Sequence, residues 1–280
     1  MTALITGGTG QLGSELRKLL DEKEVAYVSV GSKEVDITDE KAVNHYIKKL
    51  KPTIIYHCAA YTAVDAAEDE GKELNQAVNV RGTENVAKAA EEVSAIVVYI
   101  STDYVFDGTN LGEYKETDPT NPQSEYGRAK LAGEQIVQKL VSKHYIVRTS
   151  WVFGEFGKNF VFTMQKLAET HPRLTVVADQ IGRPTWTRTL AEFVYYLTEK
   201  EAEYGIYHLS NEGSCSWYEF AKEILKDKKV DVVPVTSAEY PQKANRPKHS
   251  VMDLSKAKET GFEIPTWQEA LTLFEMSQNR

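Results

Sequence analysis

Apolar residues along the first half of the chain follow two alternating rhythms. Ala3–Thr6 is a short apolar run that passes straight into glycines, whereas Leu12, Leu16, Leu19 and Leu20 recur three or four apart between Gln11 and Leu20. The first pattern predicts a buried strand and the second an amphipathic helix. The alternation continues with a strand over Val25–Val30, a helix over Asp39–Leu50 behind the cap Thr38, and a strand over Thr53–Cys58. A long helix over Leu74–Val93, a strand over Ala95–Ser101, a helix over Ser124–Val141 and a strand over His144–Thr149 complete the series. Strands and helices in this order predict an α/β fold, a Rossmann-like doubly wound parallel sheet with crossover helices. Residues 103–122 break the rhythm with Gly108, Gly112, Pro119 and Pro122, which predicts a long surface loop of the kind that carries function.

Beyond residue 150 the pattern loosens. Short helices over Asn159–Thr170, Thr187–Thr198, Ser216–Leu225 and Thr266–Met276 are expected between short strands such as Leu174–Ala178 and Ile206–Leu209. The chain therefore divides into a sheet-forming part, residues 1–150, and a smaller C-terminal α/β part, residues 151–280. Some segments of the latter are expected to return to the sheet. The smaller part is expected at the carboxyl edge of the sheet, where open α/β folds bind ligands.

Composition narrows the chemistry. The 280 residues carry 33 basic and 41 acidic side chains, a net charge of −8 with no basic block, which argues against a nucleic-acid polymer or an anionic membrane as partner. No charged leader with an apolar core opens the chain, and no apolar run approaches the ~20 residues of a membrane helix. The two cysteines, Cys58 and Cys215, lie far apart, which excludes a disulfide framework and fits a cytoplasmic protein. The six histidines form no HxxxH or HxH pair, so no metal site is expected, and His57 and His208 read as core residues of apolar strands.

Between the first strand and helix stands Gly7-Gly8-Thr9-Gly10-Gln11-Leu12-Gly13. Glycines there allow a tight turn, close approach of backbone to a pyrophosphate and close helix–strand packing, and the helix amides favour phosphate charge. This position predicts dinucleotide binding. An NAD enzyme usually places an acid after the second strand, under the adenosine ribose. Here that strand runs into Gly31-Ser32-Lys33, with no acid before Glu34, which leans toward NADP(H) with NAD(H) tolerated. Ser32 and Lys33 would then face the 2′-phosphate, and Asp36 and Ile37 would flank the adenine.

Tyr126 and Lys130 lie four residues apart on one face of a predicted helix. An ammonium beside a phenol favours phenolate, and a tyrosine tuned in this way exchanges a proton with a carbonyl oxygen. Thr102, at the end of the fourth strand, offers a hydroxyl to the same carbonyl. Two surface residues would be the ordinary reading of the tyrosine–lysine spacing; Thr102 makes the catalytic reading the stronger one.

With these residues in place, the chain resembles the extended short-chain dehydrogenase/reductases, and within them the dTDP-4-dehydrorhamnose reductase family. The resemblance spans nearly the whole length: GGTGQLG at 7–13, HCAAYTAVD at 57–65, NVRGTENV at 79–86, STDYVFDG at 101–108, YGRAK at 126–130, RTSWVFG at 148–154 and DQIGRPT at 179–185, with the late SAEYP and NRPKHS segments. It implies Thr102, Tyr126 and Lys130 as catalytic residues, and Gly7, Gly10, Gln11, Leu12, Asp36, Ile37, Ala59, Ala60 and Tyr61 along the dinucleotide. Asn79 would support the lysine. Thr102, Asp103 and Trp151, with Thr62 and Val64, would hold a dTDP-linked 6-deoxy-4-keto sugar, and Arg183 and Arg246 its diphosphate. Both arginines also sit beside prolines in loops, where plain surface charge is the competing reading. The implied activity is reduction of the C4 ketone by NADPH, the last step toward dTDP-L-rhamnose for cell-surface polysaccharide. Another nucleotide-linked keto sugar, an epimerase, or a non-enzymatic NADP-binding subunit similar to that of methionine adenosyltransferase are the alternatives. The family also implies a homodimer around Mg²⁺ held by C-terminal glutamates, but Glu269 and Glu275 have no diagnostic spacing, so Mg²⁺ is not expected.

Overall fold

Residues 2–278 are described by a computed structural model. The first half runs β1 (Ala3–Thr6), α1 (Gln11–Glu22), β2 (Tyr27–Val30), α2 (Glu40–Leu50), β3 (Ile54–His57), α3 (Lys72–Gln76), α4 (Thr83–Glu92), β4 (Ile96–Thr102), α5 (Glu125–Leu140) and β5 (His144–Thr149). The second half runs β6 (Val152–Phe153), α6 (Phe160–Ala168), β7 (Arg173–Val177), β8 (Ile181–Gly182), β9 (Thr185–Trp186), α7 (Thr187–Glu199), β10 (Gly205–His208), β11 (Cys215–Ser216), α8 (Trp217–Ile224), β12 (Asp231–Val235), α9 (Ser255–Glu259) and α10 (Trp267–Gln278). Six strands pair in the order β10-β5-β4-β3-β1-β2, all parallel. The direction of winding reverses between β1 and β3, which opens a crevice at their carboxyl ends.

Strand side chains alternate between two cores, as the period of two requires. Ile5, Tyr56 and Val147 meet Leu16, Leu19 and Leu20 of α1 and Phe193 and Leu197 of α7 on one face. Leu4, Ile55 and Val97 meet Val43 and Ile47 of α2, Val86 of α4 and Val137 of α5 on the other. Both faces are covered, which is why these strands read as nearly continuous apolar runs. A third core, with Phe153, Met164, Phe220, Trp267 and Phe274, holds the C-terminal part together.

Two features differ from the sequence pattern, and one follows it. The long helix expected over Leu74–Val93 begins at Lys72 and passes through a π-helical segment, Ala77–Gly82, before α4. That widened turn carries Asn79, and such turns cluster at functional sites. The expected strand near Ile206 is β10, which extends the main sheet. Strand β12, unannounced by the pattern, pairs with β7 alone; Pro234 within it disguises a strand that has a sheet neighbour on one side only.

Candidate active site

The glycine turn closes against the loop after β3. Gly7 has φ +67°, and a Cβ there would lie 2.6 Å from the Ala59 backbone; one on Gly13 would lie 2.3 Å from the Gly7 carbonyl oxygen. Only glycine permits both approaches. Helix α1 then starts behind its N-cap Gly10 with no side-chain cap and no acid in its first turn, so its amides face the crevice with positive partial charge uncompensated. Gly7, Gly10, Gly31, Ser32, Asp36, Ile37, Ala59 and Ala60 line a cavity of about 280 Å³ here. The Gln11 amide oxygen, buried nearby, has no protein partner. Open helix amides, a cradle that any Cβ would fill and an orphaned amide fit a dinucleotide pyrophosphate.

Three of the expected cofactor residues stand outside this lining. Lys33 is exposed and stands outside the cavity wall. The Tyr61 hydroxyl packs over Gly71 instead of facing the crevice. The Asn79 amide accepts from Tyr61 N (3.0 Å) and donates to Tyr61 O (2.9 Å), which clamps the 59–61 loop beside the cavity. His57, at the end of β3, is a satisfied core histidine bonded to Thr6 and Thr83, and burial lowers it to about 3.

A second cavity of about 620 Å³ adjoins the first, sharing Gly10, Cys58 and Ala60. Its wall brings together Thr102, Asp103, Tyr126, Lys130 and Trp151, with Gln11, Leu12, Thr62 and Val64. Strand β4 delivers Thr102 at its carboxyl end. Helix α5, capped by Ser124 accepting from Gly127 N, presents Tyr126 in its first turn and Lys130 one turn later. Tyr104, which the sequence pattern did not single out, lies edge-on to Tyr126 at 5.7 Å between ring centres.

The electrostatics differ from the expected lysine-tuned phenol. Burial, then the Asp103 carboxylate, hold the Tyr126 phenol above its ordinary value, and a hydrogen bond with Thr102 pulls the other way. The Lys130 ammonium lies 4.0 Å above the centre of the Tyr99 ring, and burial lowers it to about 7 against partial support from Glu134. Tyr126 is therefore protonated at neutral pH, the form that gives a proton to an alkoxide. Asp103 accepts from Thr102 Oγ1 (3.0 Å) and from Ser250 Oγ (2.6 Å), and burial raises it to about 6. Ser250 is a second residue the sequence left unmarked; it ties the 240–250 segment to the catalytic wall. Cys58, whose thiol burial pushes up to about 12, is an apolar lining rather than a nucleophile.

Lys130 is 2% exposed, so its charge carries a desolvation cost. The folded protein binds fewer protons at this site than the unfolded chain between about 7 and the ordinary 10.5, so stability rises with pH across that window and is lowest below it. Lys130→Met is accordingly expected to raise the melting temperature, with the gain largest near pH 6 and shrinking toward pH 10. Melting curves of both proteins across that range check this; an equal or larger gain at alkaline pH would refute it.

Trp151 stands at φ +48°, a costly conformation for a bulky residue, and its ring stacks on Trp217 at 3.6 Å and 11°. Trp217 borders a third cavity of about 400 Å³, lined by Phe160, Met164, Val176, Tyr240 and Arg246 among others. Arg246 donates to Asp65 (2.8 Å), while its buried Nε has no partner. Arg183, by contrast, is drawn away from the diphosphate role expected of it. It donates to Met252 O (2.8 Å) and Glu113 (2.5 Å) and lines a separate small cleft with Glu212 and Lys258. Partners distant in sequence, rather than its own loop, decide its position. Among the described residues no cluster of His, Cys, Asp or Glu could hold a metal, and no helix is long and apolar enough to cross a membrane.

A parallel Rossmann sheet with a glycine turn, and a tyrosine and lysine one turn apart beside a strand-end threonine, define a short-chain dehydrogenase/reductase of the extended type. The model of the RmlD substrate binding domain family matches residues 1–278. The chain belongs to that family. It is 43% identical to the dTDP-4-dehydrorhamnose reductase of Aggregatibacter actinomycetemcomitans over 283 residues, covering 96% of each chain. Among solved structures it is similar to the dTDP-4-dehydrorhamnose reductase of Bacillus anthracis in complex with NADP, with TM-score 0.95, 43% identity and 99% of each chain covered. The ortholog from Clostridium acetobutylicum superposes with TM-score 0.97 at 43% identity over 100% of both chains.

Proposed function

We propose that this chain is a cytoplasmic NADPH-dependent reductase of dTDP-4-dehydrorhamnose, converting the C4 ketone to the alcohol of dTDP-L-rhamnose. The observation that carries the proposal is that Thr102, Tyr126 and Lys130 line one cavity, which shares Gly10, Cys58 and Ala60 with the cavity of the glycine turn. The chemistry a bound dinucleotide would supply there is hydride transfer to C4. Tyr126 holds the proton that the resulting alkoxide takes. Thr102 stands beside the phenol in the same cavity wall, its own hydroxyl proton directed to Asp103. Lys130 would donate to the nicotinamide ribose of the bound dinucleotide. Residues after 150 hold the sugar nucleotide: Trp151 as platform for the sugar, and the apolar cavity beyond Trp217 for the base.

Purified protein given dTDP-4-dehydrorhamnose and NADPH should consume the dinucleotide absorbance and yield dTDP-rhamnose. A protein that binds the dinucleotide yet leaves the ketone intact would be a binding subunit and not this enzyme. Arg246 would meet the diphosphate with its guanidinium, which lines the cavity beyond Trp217. Arg246→Ala should raise the substrate KM by about 10–100-fold, the worth of a charge-assisted hydrogen bond, and leave NADPH affinity unchanged. An unchanged KM would return Arg246 to its ion pair with Asp65 alone.

A further inference from the structure

Resting on the reductase reading above, we infer that Ser250 is a positioning residue of the catalytic wall: acting through Asp103, it holds the Thr102 hydroxyl as a hydrogen-bond acceptor beside Tyr126. The Asp103 side chain is buried, and a hydroxyl meets each of its carboxylate oxygens. Thr102 Oγ1 donates to Oδ1 at 3.0 Å and Ser250 Oγ to Oδ2 at 2.6 Å. With both donors in place the carboxylate has one orientation. Without Ser250 a buried oxygen is left unpaired and the group is free to turn. The Thr102 hydroxyl has one proton and two lone pairs. Its proton goes to Asp103, and one lone pair takes the Tyr104 N–H at 3.2 Å. The second lone pair is what remains for the sugar, on a side chain that lines the cavity with Tyr126. Thr102 therefore accepts from a sugar hydroxyl and orients the ring, while Tyr126 alone offers a proton to the ketone oxygen.

The backbone keeps Ser250 in place independently of its side chain. Ser250 N donates to Ile181 O at 2.9 Å, and Ile181 N donates to Lys248 O at 2.8 Å. Just beyond, Tyr114 N donates to Val251 O at 2.8 Å and Asp253 N to Tyr114 O at 2.7 Å. Pro247 packs on Gly108, where a Cβ would lie 2.6 Å from the proline Cα. Four residues before Ser250, Arg246 lines the cavity beyond Trp217. One braced segment thus carries both the arginine assigned to the diphosphate and the hydroxyl that fixes the catalytic wall. Both ends of the substrate are referred to the same backbone, which registers the ketone against Tyr126.

Steady-state reduction of dTDP-4-dehydrorhamnose by NADPH in wild type, Ser250→Ala, Thr102→Val and the double variant tests the inference. Ser250→Ala should lower kcat about 5–30-fold, the scale of one hydrogen bond lost from a buried carboxylate, and leave KM within about twofold. Thr102→Val has no hydroxyl left to hold, so adding Ser250→Ala to it should cost less than about twofold more. A merely structural serine would cost the same factor in both backgrounds, and that result would overturn the inference. So would a Ser250→Ala protein that keeps its kcat, or one that changes in KM alone. Should Ser250→Ala not fold, Ser250→Cys, close in volume and a weak donor, carries the same expectations. A wild-type protein that leaves the ketone intact would remove the reductase reading itself, and Ser250 with it.

Discussion

Tyr126→Phe is expected to fold, to bind NADPH with wild-type affinity and to turn over about 10²–10⁴-fold more slowly, the usual contribution of a positioned acid. The phenol lines the cavity wall, so the phenylalanine ring fills the same space without the hydroxyl. What disappears is the proton destined for the C4 oxygen. Thr102 cannot step in as donor, because its hydroxyl proton points to Asp103 Oδ1 and its oxygen accepts from Tyr104 N at 3.2 Å. Single-turnover reduction by enzyme preloaded with NADPH separates the chemical step from product release. Near-normal rates in the folded variant would end the assignment. The height of the phenol's titration carries a corollary: with burial as the leading cause, the tyrosine is loaded with its proton throughout neutral pH, so the site is poised for reduction more than for the reverse oxidation.

Local signals made the centre of this site legible. A glycine turn must sit at a strand–helix junction, a four-residue spacing must put Tyr126 and Lys130 on one helix face, and Thr102 at a strand end must point to the crevice. Each depends only on neighbours along the chain. What escaped depends on side chains that travel. Arg183 and Arg246 look alike beside their prolines, but Glu113 claims one and Asp65 the other, 70 and 181 residues away. The expected coupling of Lys130 to the phenol fails for a related reason. A shared helix face brings the two side chains near each other, and the depth of the pocket then makes burial outweigh charge at both.

Glu134→Gln is expected to destabilise the fold by about 3–5 kcal/mol, the cost of breaking one partner out of a buried ion pair. Glu134 follows Lys130 by one turn on α5 and is 1% exposed; Arg148 of β5 is 3% exposed. The guanidinium grips both carboxylate oxygens, Nε to Oε1 at 2.9 Å and Nη2 to Oε2 at 2.8 Å, and Ser101 of β4 donates to Oε1 at 2.5 Å. This bond set fastens the helix that carries Tyr126 and Lys130 to the strands that carry Thr102. A glutamine can satisfy Nε but turns its own NH₂ toward Nη2, so two donors face each other and a buried cation is left uncompensated. The nearest substitute, His208, offers no charge: burial and Arg148 itself lower it to about 3, and its Nε2 only meets Nη1 at 3.3 Å. Urea unfolding of the two proteins measures the difference, and a loss below about 1 kcal/mol would show the pair to be as dispensable as a surface one. The double variant Glu134→Leu/Arg148→Met supplies the control. Removing both charges removes the uncompensated cation, so most of the lost stability should return, because apolar groups of similar volume commonly replace a buried pair at little cost. Turnover should not return with it, since the bonds that register α5 against Ser101 and β5 would be gone.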